Sequence, residues 1–285
     1  MRKTSAKKTI PKRLRSKKRK TSGKTVGLFV LALTIFGVMA TMYHYRQSLA
    51  YYFSFKTDKY SEDERLNALR NFQILSIHGD KSIGFDVSQY QGTINWFSTD
   101  SIESAFPLDF VFIRATAGKD VVDSQFQRNW LGAHDHQKLI RGAYHYYRPN
   151  ENSIEQADNF IKAVKLEKGD LPPVLDIEQI PEEQSIDSLK KGLSRWLKKV
   201  ERHYKVKPII YSNESYYNDF LKEEFSQYTF WIANYSFFSE EIDNCWMFWQ
   251  FTESATIPGI TGNVDVNIFN GTKEELRRKT IGWKN

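Results

Sequence analysis

One apolar run stands out in an otherwise mixed chain. Residues 25–45 (TVGLFVLALTIFGVMATMYHY) carry no Asp, Glu, Lys or Arg. Their apolar side chains cover every side of a helix rather than one stripe, the pattern of a membrane span and not of a core helix. At about 1.5 Å per residue such a helix reaches about 30 Å, the hydrocarbon thickness of a bilayer. From residue 82 the pattern changes. Short strand-like runs recur at 82–88, 109–116, 140–147, 172–178, 207–213, 229–235, 247–252 and 263–269, rich in β-branched and aromatic residues. Amphipathic helical patterns separate the earlier runs, at 126–138, 153–165 and 185–204, and another follows at 214–225. The second opens as a capping box, Ser153 with Gln156 three residues on. The third puts Leu189, Leu193, Trp196, Leu197 and Val200 on one face. Beyond residue 225 the gaps shorten.

This alternation predicts an α/β fold with a parallel sheet and right-handed crossovers. Eight strands over about 190 residues predict a small barrel of the triosephosphate-isomerase type that lacks its last helices. An open doubly wound sheet is the alternative, but no glycine-rich nucleotide fingerprint follows the first strand. The expected layout is a basic tail (1–24), a transmembrane signal-anchor (25–45), a juxtamembrane stalk (46–81) that is partly helical around 61–71, and the barrel domain (82–285).

Charge sharpens this layout. The net charge is +7, yet residues 1–24 hold 12 Lys and Arg and no acid, leaving 29 basic against 34 acidic side chains beyond them. The excess is therefore a tail, not a basic domain. The positive-inside rule puts that tail in the cytoplasm and residues 46–285 on the extracytoplasmic side. A cleaved signal peptide is disfavoured, because the run exceeds a usual h-region and no strong small-x-small site follows it. A nucleic-acid arm would need tail and domain in one compartment, so no nucleic-acid partner is expected. The single cysteine, Cys245, excludes an internal disulfide framework and a Cys-rich zinc site. The chain is expected to be a monomer.

The candidate chemistry lies in carboxylates at strand ends. In a parallel barrel the C-terminal strand ends form the active face. PPVLDIE carries Asp176 and Glu178 two residues apart, so both face one side, about 6.5–7 Å apart along a strand. Burial and like charge can keep one of them protonated. Asp86 ends the first run and Asp265 lies in the eighth, and these strands adjoin when a barrel closes. Four carboxylates could also hold Mg²⁺ or Ca²⁺, but no HExxH or paired-His motif supports a zinc site, and neither metal nor cofactor is expected. Tyr90, Tyr144, Tyr146, Tyr147, Tyr211, Trp231, Tyr235 and Trp249 lie at or near strand ends. Rings with polar tips on an acidic face suit a hydroxylated sugar, and two carboxylates flanking a glycosidic bond are the usual machinery for its hydrolysis.

The ordered segments GFDVSQYQGTINW (84–96), FVFIRATAG (110–118), GAYHYYRP (142–149), PPVLDIE (172–178), KPIIYSN (207–213), FWIANY (230–235), FWQFT (248–252) and GNVDVNIFNG (262–271) resemble glycoside hydrolase family 25, the lysozymes that cut bacterial peptidoglycan. The resemblance spans about residues 82–271 and implies an incomplete (β/α)5(β)3 barrel. It implies hydrolysis of the β-1,4 bond from N-acetylmuramic acid to N-acetylglucosamine. Glu178 then corresponds to the general acid and Asp176 to a stabilising or orienting carboxylate, with Asp86 and Asp265 completing the site. Substrate assistance by the 2-acetamido group, with net retention, is the expected route. The implied substrate-binding set is Tyr90, Gln91, Tyr144, His145, Tyr146, Tyr211, Trp231, Tyr235, Trp249 and Gln250. A non-catalytic peptidoglycan-binding protein on the same barrel is the alternative.

Overall fold

The computed structural model describes residues 23–46, 62–136 and 138–283. The basic segment 1–22 and linking residues 47–61 lie outside the described residues. The chain divides into two compact units, Met1–Gln47 and Ser48–Asn285. In the first, helix α1 (Gly23–His44) contains one stretch, Gly27–His44, long and apolar enough to cross a membrane by length and composition. A signal sequence and an anchor share those features.

In the second unit, eight strands among the described residues close into a barrel. They are β1 (Ser82–Val87), β2 (Phe110–Ala117), β3 (Ile140–Tyr146), β4 (Val174–Asp176), β5 (Ile209–Asn213), β6 (Thr229–Ala233), β7 (Phe248–Ala255) and β8 (Val264–Phe269). Neighbours in sequence pair in order, and β1 pairs with both β2 and β8 to complete the ring. β1 to β7 pair in parallel, as the alternation predicts. β8 differs, running antiparallel to both β7 and β1. The reason is the short link at 256–263, since a parallel return needs a crossover of a dozen or more residues. The reversal brings the first residues of β8 to the same barrel end as the last residues of β1, where Asp265 stands opposite Asp86.

Helices α3 (Phe126–Asp135), α4 (Ser153–Ala163) and α5 (Ile186–Tyr204) make the crossovers after β2, β3 and β4. A turn of helix at Glu214–Tyr216, continued as a π-helix to Leu221, follows β5. Between β1 and β2 the chain instead uses two 3₁₀ turns and a small hairpin. The α4 cap sits one residue before the expected one. Asn152 accepts from the Ile154 and Glu155 amides, while Gln156 is buried and its amide bonds the Arg148 backbone and His145.

Strand alternation sorts the core into two bodies. Inside the ring, Phe110, Phe112, Tyr144, Tyr211, Trp231, Phe248 and Phe269 fill the barrel, with Phe112 stacked on Trp231 at 4.5 Å. Gly84 makes room for this plug: a Cβ there would lie 2.5 Å from the Phe110 ring. Between sheet and helices a second body holds Val111, Ile113, Leu175, Leu193 and Trp196. Truncating a ring such as Trp196 to alanine there costs about 3–5 kcal/mol.

The linking segment departs most from expectation. Helix α2 runs Glu62–Ile77, six residues beyond the anticipated end, and packs on β7. Ile74 and Leu75 are fully buried in the outer core. This part of the anticipated stalk therefore belongs to the barrel's fold.

Candidate active site

Two carboxyl pairs meet at one end of the barrel. The first is Asp176 with Glu178. β4 ends at Asp176, so Glu178 lies beyond the ladder and is exposed, whereas Asp176 is 5% exposed. The two carboxyls interact directly, each shifting the other's pKa. The buried Asp176 Oδ1 has no hydrogen-bond partner. Burial, then the Glu178 charge and the shared hydrogen bond, hold Asp176 well above the usual carboxylate range. Burial in the cleft also raises Glu178, partly offset by the hydrogen bond from Asp176.

The second pair is Asp86 and Asp265, cross-strand neighbours on β1 and β8. Asp86 Oδ2 accepts from Gln250 Nε2 at 2.8 Å and from Asn267 Nδ2 at 2.9 Å. Gln250 Nε2 also reaches Asp265 Oδ2 at 3.5 Å. The other end of the Gln250 amide accepts from the Tyr211 hydroxyl at 2.6 Å and from the Tyr235 hydroxyl. Donors on one side and acceptance on the other fix which way this amide faces. Trp231 donates to Asn267 Oδ1 at 2.8 Å, so the barrel plug holds Asn267, which holds Asp86. Burial and the Asp265 charge keep Asp86 well above its ordinary value despite those donors. Burial and the nearby Glu253 raise Asp265 to about 6. Among the described residues, no group of three or more His, Cys, Asp or Glu is placed to hold a metal ion.

The anticipated binding residues divide by strand face. Tyr144, Tyr211 and Trp231 lie in the barrel plug as the floor of the site. Tyr146 is half-buried, with its hydroxyl within the field of Asp176 and Glu178. Tyr235 (42% exposed) and Tyr90 (79% exposed) remain open to solvent. His145 and Trp249 do not belong to the site. Both are fully buried. His145 lies among Thr116, Gln156 and the stacked Trp196; Trp249 lies in the outer core beside His78. Each is the strand neighbour of an inward residue, and successive side chains point to opposite faces. Tyr147 likewise joins the outer core. Gln91 is occupied locally: its Oε1 accepts from the Ser88 amide and its Nε2 reaches the Asn263 carbonyl.

Three residues escaped the sequence reading. Asn267 is two positions after Asp265, hence on the same face. Arg114 is a lone cation in an apolar strand. Its Nε donates to Asp123 at 2.8 Å, and its guanidinium covers the Tyr90 ring at 4.8 Å. It is the cation whose field opposes the rise of the Asp176 pKa. Glu253 follows the irregular register of β7 and adds negative charge beside Glu178 and Asp265.

A closed strand–helix barrel that gathers carboxyls at one end, among them a pair with one member buried and one open, suits a glycoside hydrolase, whose usual machinery is two carboxyl groups. The sequence matches the family model of glycosyl hydrolases family 25 over residues 85–260, and the chain belongs to that family. It is 40% identical over 205 residues to an Escherichia coli protein, YegX, covering 70% of this chain and 74% of that one. It is 33% identical over 208 residues to lysozyme M1 of Streptomyces globisporus, covering 68% and 69%. Among solved structures, a bacterial lysozyme from Streptomyces coelicolor superposes with a TM-score of 0.63 at 29% identity, covering 70% of this chain and 97% of that one.

Proposed function

We propose that this protein is a membrane-anchored muramidase that hydrolyses the β-1,4 bond between N-acetylmuramic acid and N-acetylglucosamine in peptidoglycan. The observation that carries the reading is the Asp176–Glu178 pair at the open end of a closed barrel, one carboxyl buried and one open to solvent, both raised above the usual carboxylate range by burial. Glu178, on the solvent side, donates the proton to the leaving oxygen. Asp176, beneath it, retains negative charge once that proton has moved and orients the substrate's acetamido group. Asp86 and Asp265 complete the acidic wall of the site, and Tyr90, Tyr146 and Tyr235 contact the sugar rings.

Substrate assistance with net retention fits this pair. Asp176 and Glu178 interact directly, whereas an inverting acid–base pair stands about 6.5–9.5 Å apart with a water between its members. The acetamido carbonyl attacks the anomeric carbon as the glycosidic bond breaks, and water then opens the cyclic intermediate. The run 25–45 anchors the enzyme as a monomer, with residues 1–24 in the cytoplasm and the barrel outside it. Tethering raises the barrel's effective concentration at the wall.

Digestion of defined peptidoglycan, followed by mass spectrometry and proton NMR of the first-formed anomer, tests the chemistry. Muropeptides with reducing N-acetylmuramic acid in the β configuration are expected. N-acetylglucosamine at the reducing end, or the α anomer formed first, would overturn the bond assignment or the stereochemistry respectively. Alkaline carbonate washing tests the anchor, which predicts that the intact chain stays in the membrane.

A further inference from the structure

Helix α2 lies outside the residues that match the family model, yet it sends a cation to the back of the site. Arg70 is buried, and among the described residues no carboxylate pairs with it. Its Nη1 donates to the Phe251 carbonyl at 2.5 Å, and its Nη2 donates to the Ser236 carbonyl at 2.9 Å. Burying an unpaired guanidinium is costly, so its placement calls for an explanation.

The two carbonyls explain it. Phe251 follows Gln250, where the β7–β8 register slips; a slip of this kind leaves ladder groups unpaired. Ser236 follows Tyr235 in the loop after β6. Inside the barrel, the Tyr235 hydroxyl meets the Gln250 amide, and that amide holds Asp86 and Asp265. Outside it, Arg70 ties the backbone of the next residue in each segment. One rigid fork thus joins the two segments whose side chains make the hub, a geometry suited to the planar guanidinium.

We propose that Arg70 is a positioning residue of the active site, a clamp that keeps Tyr235 and Gln250 in register and thereby aligns Asp86 and Asp265. The segment between span and barrel then does more than connect: it sets the geometry of the catalytic end. This rests on the reading that the Asp86–Asp265 pair serves hydrolysis.

The test uses the full chain in detergent micelles and measures kcat, KM, pH–rate profile and melting temperature. Arg70→Met is expected to lower kcat about tenfold to hundredfold, the scale of a misplacement near 1 Å, with KM changed less. It should also move the pH limb set by the Asp86–Asp265 pair, which faces Glu253, Glu178, Tyr144 and the Tyr211 and Tyr235 hydroxyls. Arg70→Lys, which keeps the charge and one donor direction, should recover part of the rate. Leu75→Ala loosens the same helix without touching the clamp and should lower the melting temperature with the wild-type pH limb intact. A wild-type kcat and pH limb in folded Arg70→Met, or an equal limb shift in Leu75→Ala, overturns the proposal. Should Arg70→Met not fold, an unchanged kcat and limb in Arg70→Lys overturns it. Gln250→Leu separates the two ideas: a moved limb there upholds the underlying reading whatever Arg70 does, and an unmoved limb removes that reading and the proposal with it.

Discussion

The two carboxyl pairs of this barrel meet the same electrostatic problem by different means. Both stand in a cleft that raises their pKa by burial and mutual charge. Asp86 and Asp265 are met by amide donors: Gln250 and Asn267 reach Asp86, and Gln250 also reaches Asp265. These amides are fixed in turn by Tyr211, Tyr235 and Trp231. Asp176 and Glu178 receive no amide donor among the described residues: Asp176 Oδ1 is buried without a partner, and Glu178 faces solvent. The difference separates an amide-held pair from one without such donors, and it supports the proton-donor role proposed for Glu178. A carboxylate locked by donors keeps its geometry, whereas a carboxyl raised by burial and left free of donors can deliver a proton where a leaving group waits.

The largest expected effect breaks the Asp176–Glu178 pair. Glu178→Gln should lower kcat on peptidoglycan about 10³-fold or more, measured as reducing ends released, with the melting temperature changed little because Glu178 is exposed. Next comes the amide-held pair. Gln250→Leu removes the donor shared by Asp86 and Asp265 and strands two tyrosine hydroxyls. The expected loss of stability is about 1–3 kcal/mol in denaturant unfolding. Without that donor the ionised form of Asp86 is less favoured, so the limb of the pH–rate profile set by the Asp86–Asp265 pair should move to higher pH.

A gentler test needs no mutation. The folded-state pKa of Asp265 is raised to about 6 from an ordinary value near about 3.9, so the native state binds the extra proton between those pH values. Stability from this group is fully present below about 4 and is lost as pH rises through about 6. Asp86, Asp176 and Glu178 are raised too and act in the same direction. The melting temperature should therefore fall as pH rises from about 4 to about 7, with a shallower slope in Asp265→Asn. The smallest expected effect on catalysis is at His145. His145→Gln should reduce stability, because His145 bonds Thr116 and Gln156 in the outer core, yet leave kcat per folded molecule unchanged.

His145 also shows what could be read from the sequence. Their places at strand ends carried Asp86 and Asp176 to one end of a closed barrel, whereas Asp265 reaches that end only because β8 runs antiparallel. Period-two alternation forbids Tyr144, His145 and Tyr146 from sharing a face, and likewise Trp249 and Gln250. Ring chemistry nominated residues that geometry sends elsewhere. Asn267 was legible through its spacing from Asp265 and Arg114 as a charge inside an apolar run, but neither belongs to the residue types sought for acid catalysis. The clamp by Arg70 was beyond reach, because it depends on main-chain carbonyls more than 160 positions away. The direction of β8 was open to a simpler argument from the length of the link before it.

The role of Glu178 as proton donor is tested most directly by changing the leaving group. Wild type and Glu178→Gln would be compared on peptidoglycan and on an aryl glycoside whose phenolate departs without protonation. A general acid predicts a large loss on peptidoglycan and a much smaller loss on the activated glycoside. Equal losses on both substrates, or retained activity on peptidoglycan, would contradict the assignment of Glu178 as the acid.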